Sequence, residues 1–186
     1  LDLVVDIILT SLGVYTTNLS EDGVTLAGGE STTITATFAP VAGVEYNGTL
    51  TIYSNDDNDN ESPIRITVTG VGLAPRITVA PENVAFGDVV AGNSETSSIR
   101  ISNPGSSALT VTEIQFNNNV FSGDLGGQQV IAVGQFIDLE LTFTPTDIDD
   151  FEGILTVISD AENDQSLDIP LTGAGVSAFQ FTQTGE

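Results

Sequence analysis

The sequence contains no cysteine, no histidine and no lysine. Without Cys, neither a disulfide nor a thiolate metal site can form, and the redox compartment cannot be read from bridges. Without His, the usual general base at neutral pH and the commonest transition-metal ligand are both missing. Without Lys, only three Arg stand against 26 acidic residues, for a formal net charge of −23. Such a surface repels nucleic acid and anionic membranes, which removes both as expected partners. It also repels itself, at a cost that falls as salt shortens the Debye length to roughly 3 Å near 1 M. The charge therefore suits saline or divalent-rich surroundings; the alternative is an acidic surface protein kept soluble by its coat. No apolar run reaches the roughly 18 residues of a membrane span. The greasiest segment, residues 1–12, is interrupted by Asp2 and Asp6 and has no basic region ahead of it, so it does not read as a signal peptide. No segment sustains a 3.6-residue period with caps, and essentially no helix is expected.

Apolar residues make up 40% of the chain, enough to bury a core and exclude disorder. They recur with a period of two. Residues 31–40 (STTITATFAP) alternate Thr with Ile34, Ala36 and Phe38, residues 47–54 present Leu50 and Ile52 to one side, and residues 64–72 (IRITVTGVG) read as a closing strand. Each has a counterpart about 103 to 106 residues later, in residues 136–145, 153–159 and 167–175. Leu3, Val5 and Ile8 likewise align with Leu109, Val111 and Ile114. The nearly unbroken apolar run around Leu3 suggests a strand buried on both faces. Gly28-Gly29 and Gly134 occupy equivalent turns. The second copy adds two short strands at residues 77–80 and 84–89 around Pro81, a break suited to an edge strand that crosses between sheets. It also adds a long strand at residues 94–102 with Ile99 and Ile101 inward, then the turn Asn103-Pro104-Gly105. Short strands joined by Gly, Asn, Asp and Pro turns argue for immunoglobulin-type sandwiches. The expected class is all-β: tandem immunoglobulin-like β-sandwiches, the first lacking its N-terminal strands. The expected division is an incomplete unit at 1–73, a complete one at 74–175, and a linker or first strand of a next unit at 176–186.

P-x-x-V-x-F-G-D-V-x-x-G at residues 81–92, I-x-N-x-G at 101–105, F-x-P at 143–145, G-x-L-x-V-x-S at 153–159 and L-T-G-x-G at 171–175 form one set. The set resembles the ASPM/SPD-2/Hydin group, and within it the bacterial branch called choice-of-anchor D. The first-unit motifs FAP, GTLTIYSND and VTGVG fit the same pattern. The resemblance implies tandem immunoglobulin-like modules, found in large secreted or surface proteins of bacteria and in ciliary and centrosomal proteins of eukaryotes. The charge and the missing Lys favour a prokaryotic exported protein.

Candidate sites are few. Residues 54–62 (SNDDNDNES) set Asp56, Asp57, Asp59 and Glu61 among amide side chains, hard oxygen ligands at a density that suits Ca²⁺. The Gly and terminal Glu spacing of an EF-hand is missing, and a solvated hairpin loop accounts for the same residues. The equivalent loop, residues 159–165, carries Asp160, Glu162 and Asp164, and residues 146–152 carry Asp147, Asp149 and Asp150. Because the matching first-unit loop is nearly uncharged, that last cluster reads as surface charge. Sequons occur at Asn18, Asn47 and Asn60, the last two in expected turns; glycans and chance explain them equally. Tyr46 and Tyr53 with Asp56 are a candidate face for a surface polysaccharide, against simple packing of Tyr53 on its strand. The carboxylates cluster on expected loops rather than converging on an apolar pocket, so no enzyme is expected.

The first unit has no counterparts of residues 77–108, which in the second bring Val79, Val84, Phe86, Ile99 and Ile101 to the core. At about 1.5–3 kcal/mol per buried side chain, their sum is on the order of 7–15 kcal/mol, as large as the net stability of a domain. The first unit as given is therefore not expected to fold alone. Upstream residues supply the strands in one reading. In the other, copies of the chain complement one another head to tail by strand donation, which leads to an open fibre. The assembly strand would then be residues 179–186 (FQFTQTGE), where Phe179 and Phe181 alternate with polar residues. It supplies one strand where at least two are missing. The expected function is a non-enzymatic extracellular or cell-surface module: stalk, adhesin shaft or filament subunit, bound to neighbouring repeats or copies of itself, with Ca²⁺ as the one candidate cofactor. The alternative is a carbohydrate- or polymer-binding accessory module of a larger secreted enzyme.

Overall fold

The computed structural model describes residues 2–56 and 63–178 and divides the chain into two compact units, Leu1–Leu73 and Ala74–Glu186. Every regular element among the described residues is a β-strand, as the period-two patterning requires.

In the first unit the strands are β1 (Leu3–Thr10), β2 (Tyr15–Thr17), β3 (Val24–Leu26), β4 (Ala36–Phe38), β5 (Glu45–Ser54) and β6 (Ile64–Val71). They form a sheet ordered β3-β1-β5-β6 and a separate pair, β2-β4. The second unit contains β7 (Thr78–Ala80), β8 (Val84–Val90), β9 (Glu95–Ser102), β10 (Leu109–Phe116), β11 (Phe121–Gly123), β12 (Gln129–Ile131), β13 (Phe136–Phe143), β14 (Asp150–Ser159) and β15 (Ser166–Val176). These make two sheets, β12-β10-β14-β15-β8 and β11-β13-β9-β7. Pro81, which cannot donate to a ladder, separates β7 in one sheet from β8 in the other. Alternation becomes burial along β13, where Leu139, Leu141 and Phe143 are buried while Asp138 and Glu140 face solvent. Ile99 and Ile101 of β9 and Leu109 and Val111 of β10 join them in one core with Leu155, Val157, Ile169 and Leu171.

The duplication read from the sequence extends to hydrogen-bond register. Strands β1 to β6 pair as β10 to β15 do. Leu3 faces Leu26 as Leu109 faces Ile131, and Tyr15 faces Phe38 as Phe121 faces Phe143. Even the irregularity recurs: the ladder to β5 shifts between Val5 and Ile7, and the ladder to β14 shifts between Val111 and Glu113. Gly29 and Gly134 take φ of 86° and 71° in the equivalent turns, a region that favours residues without a Cβ. Close packing explains a second glycine pair. A Cβ on Gly70 would stand 2.6 Å from the Phe38 ring, and one on Gly173 would collide with the ring of Phe143. Backbone meets aromatic face at the same place in both units.

Two expectations fail in the first unit. Residues 31–40 alternate like a strand, yet only Ala36–Phe38 is one, whereas β13 runs eight residues. The difference is the neighbour: β13 is laddered along its whole length to β9, and among the described residues of the first unit no strand lies in that place. The apolar run at Leu3 is also not buried on both faces. In β10 the outward positions are Glu113 and Gln115; in β1 they are Ile7 and Leu9, which are 47% and 49% exposed. On the inner face of β1, Leu3 is 39% exposed while Val5 and Ile8 are half-buried.

Candidate functional site

Of the candidate Ca²⁺ ligands, Asp57, Asp59 and Glu61 lie outside the described residues, as do Phe179 and Phe181 of the candidate assembly strand. Asp56 lies two residues beyond the end of β5, half-buried, with its backbone N–H donating to Ser54 Oγ at 3.4 Å. The equivalent loop of the second unit shows what its polar groups do. Asp160 Oδ1 accepts from the Thr110 N–H at 2.7 Å while the Asp160 N–H donates to the Thr110 carbonyl at 3.1 Å. Asp164 Oδ1 accepts from the Ser166 N–H at 3.1 Å. Asn163 acts as a side-chain strand: its Oδ1 accepts from the Ile77 N–H at 2.8 Å and its Nδ2 donates to the Ile77 carbonyl at 2.9 Å. The first unit repeats the Asp160 brace with Asn55, whose Oδ1 accepts from the Val4 N–H at 2.8 Å and whose N–H donates to the Val4 carbonyl at 3.0 Å. These loop side chains satisfy backbone groups that would otherwise lack partners. In the other acidic cluster, Asp147 accepts from Thr146 Oγ1 and Asp149 accepts from the Asp150 N–H. Among the described residues no three acidic side chains converge as a metal site.

The sugar-binding face does not assemble as expected. Tyr46 and Tyr53 lie seven positions apart on β5, so strand alternation puts them on opposite faces. Tyr46 packs edge-on against Phe38 at 5.6 Å, and its hydroxyl accepts from the Ala42 N–H at 3.1 Å. Asn47 is not in a turn either; it sits within β5, and its Nδ2 donates to Glu45 Oε1 at 3.1 Å.

Sequence reasoning saw Asn103 only as a turn former. It is 1% exposed and ties together three segments. Its Nδ2 donates to the carbonyls of Ser107 and Ile131, at 2.8 and 2.9 Å, and its Oδ1 accepts from the N–H groups of Gly105 and Arg76, at 2.9 and 3.4 Å. The I-x-N-x-G spacing was the available signal. On the exposed face, Arg100 makes a bidentate pair with Asp138, at 2.8 and 3.1 Å, and lies 3.6 Å over the Phe136 ring. The guanidinium hydrogen bond draws the Asp138 carboxyl below the usual range.

The inner face of the first unit carries an aromatic cluster and exposed apolar side chains. Phe38 stacks on Tyr15 of β2 at 5.0 Å and meets Tyr46 edge-on at 5.6 Å, and Tyr15 and Leu50 are buried. Beyond that cluster, Leu3, Ile64 and Ile66 are 39%, 47% and 45% exposed, whereas Leu109 and Ile169, the equivalents of Leu3 and Ile66, are 0% and 1% exposed. The same positions are core in one unit and open in the other. What differs is β8 and β9, which close the second unit and have no counterpart among the described residues of the first.

A family model described as HYDIN/CFA65/VesB-like, Ig-like domain, matches residues 75–174. No curated protein sequence matched the chain. Several solved structures are similar at low identity. The ASH/PapD-like domain 7 of human CEP192 matches with a TM-score of 0.50 at 12% identity, over 57% of this chain and 89% of that one. A protein of unknown function from Porphyromonas gingivalis W83 matches with a TM-score of 0.49 at 12% identity, over 93% of this chain and 84% of that one. The secreted serine protease VesC from Vibrio cholerae matches with a TM-score of 0.40 at 17% identity, over 59% of this chain and 24% of that one.

Proposed function

Since the chain belongs to the HYDIN/CFA65/VesB-like Ig-like domain family by the match over residues 75–174, we propose that it serves as a load-bearing, non-enzymatic repeat module of an exported shaft or filament. One observation carries this reading. In the second unit the first long strand, β8, and the last, β15, are hydrogen-bonded in parallel, from Val84 opposite Leu171 to Val90 opposite Val176. Tension applied through the two ends of that unit pulls these strands in opposite directions along their length, so the ladder is loaded in shear and its bonds must break together. A ladder loaded from one end would open bond by bond. Neighbouring repeats are the natural partners of such a module, and the polar side chains described above are spent on bracing its framework rather than aimed at a substrate.

Mechanical unfolding of the full chain by atomic force microscopy tests the role. The second unit should rupture in a single event and release roughly 300–350 Å of contour for about 100 residues. Extension without a resolvable force peak would remove the load-bearing role.

Calcium is the second element of the proposal, with the Asp56 loop as its site. Screening alone should raise the melting temperature as NaCl is added, because self-repulsion at a charge of −23 is weakened. Millimolar CaCl₂ should raise it further than NaCl at matched ionic strength, and Asp56→Asn should reduce the excess. Identical shifts with the two salts would leave only bulk screening.

A further inference from the structure

The two units share a framework but differ on their outer faces. Strand alternation turns Ile7 and Leu9 of β1, Thr51 and Tyr53 of β5, and Arg65 of β6 outward, away from Leu50 and Ile66. Ile7 lies opposite Tyr53, and the row Leu9, Thr51, Arg65 crosses the sheet beside them. Register gives these positions counterparts in the second unit: Glu113 for Ile7, Gln115 for Leu9 and Asp168 for Arg65. All three counterparts face solvent in a sandwich whose two sheets are both present, so the framework itself leaves this face uncovered. In the first unit the same face is nevertheless apolar, with Ile7, Leu9 and Tyr53 being 47%, 49% and 37% exposed side by side. Its charge is also unlike that of the whole. On a chain with 26 acidic residues, β1, β5 and β6 together hold only Asp6 and Glu45, alongside one of the three arginines. Exposed apolar side chains, an aromatic ring, an arginine and few carboxylates are the composition of a contact surface.

We propose that this outer face is the contact between two copies of the chain, packed sheet on sheet about a two-fold axis along β5. The axis sets β1 of each copy across from β6 of the other. Arg65 then lays its stem over the partner's Leu9 and Ile7 and reaches toward the partner's Asp6, and the contact occurs twice. Self-complementarity is what selects a second copy. An isologous contact needs one patch to carry both halves of each pair. Asp6, the exposed residue at the β1 irregularity, and Arg65 are those halves, and β5 lies between their strands. Two chains of charge −23 repel, so they meet most readily where the local charge is near zero. Three strands of eight or more residues make a face of about 14 by 26 Å. With its side chains a pair buries on the order of 1,000 Å², the lower bound for a specific interface, which suits a weak, reversible dimer. The contact goes beyond the load-bearing role, since it joins chains side by side however force is carried.

Sedimentation velocity of the full chain in about 0.3 M NaCl, where self-repulsion is short-ranged, tests the contact. Between about 1 and 200 µM the mass should rise to twice that of the monomer and stop there. Ile7→Glu with Leu9→Gln gives the first unit the side chains that the second carries at these positions. Circular dichroism should be unchanged, while the dimer weakens by about tenfold or more. Charge reversal reads the pairing itself. Chains with Asp6→Arg or with Arg65→Asp should each stay monomeric alone, because like charges meet at both pair positions. Mixed in equal amounts they should form a heterodimer, because both pairs are then restored with opposite sign. An unmodified chain that stays monomeric throughout, or a dimer indifferent to Ile7→Glu with Leu9→Gln, would overturn the proposal. So would a mixture of the two charge variants that stays monomeric, and growth beyond two copies would replace the two-fold contact by an open one.

Discussion

Asn103→Ala should destabilise the second unit by about 3–5 kcal/mol, because one buried and several part-buried backbone groups lose a partner at about 1–3 kcal/mol each. The carbonyls of Ser107 and Ile131 lose the Nδ2 donor, and the N–H of Gly105 loses its acceptor. The site is 1% exposed, so water reaches these groups only after the turn opens. For a domain of about 100 residues the melting temperature should fall by more than about 10 °C. Asn103→Asp is the sharper variant. It keeps both Oδ1 contacts, removes both Nδ2 donors and introduces a buried carboxylate, and should do no better than Ala. Asn118→Ala is the milder comparison: from a half-buried position that side chain donates to the Glu152 carbonyl at 2.9 Å and accepts from the Val120 N–H at 3.3 Å, where solvent reaches more readily than at Asn103. Thermal unfolding followed by circular dichroism reads all three. A loss under about 1 kcal/mol for Asn103→Ala would show that the turn relaxes to satisfy itself.

Phe143→Ala should cost about 3–5 kcal/mol, the usual range for emptying a buried aromatic site. Its ring is fully buried and contacts Phe86, Phe121 and Phe151 at 5.5, 5.0 and 5.8 Å between centroids. Gly173 adds a more specific prediction. Alone, Gly173→Ala forces a methyl group into that ring and should cost about 1–3 kcal/mol. In the Phe143→Ala background the same methyl enters the vacated space and should cost little or restore stability. A double-mutant cycle in urea reads the coupling, and simple additivity would mean that the glycine is required for another reason. Phe38→Ala should be milder, because Phe38 is only half-buried in a face that lacks its cover.

The sequence disclosed the fold because period-two alternation and the repeat offset are local facts. Strand identity, pairing order and the glycines beneath aromatic rings all follow from residues that recur in both units. It disclosed less where the neighbour decides. Residues 31–35 carry strand patterning but no strand, since a ladder needs a second chain segment beside it. The candidate sites were harder still. Asn103 looks like any turn residue until segments near residues 76, 107 and 131 converge on it. Asp160 reads as a metal ligand or surface charge, yet its oxygen accepts from the backbone of Thr110, 50 residues away. Tyr46 and Tyr53 seemed companions, and strand parity separates them. Asp57, Asp59, Glu61, Phe179 and Phe181 lie outside the described residues.

The excess of carboxylates has a counterpart in digestion. An endoprotease that cuts after basic residues meets three bonds in the whole chain, Arg65–Ile66, Arg76–Ile77 and Arg100–Ile101. Ile77 and Ile101 are 2% and 0% exposed, so cleavage of those two bonds must wait for the second unit to open. Ile66 of β6 is 45% exposed. The accessible bond of the three therefore lies in the first unit, and brief digestion should divide the chain within β6 while the second unit stays whole.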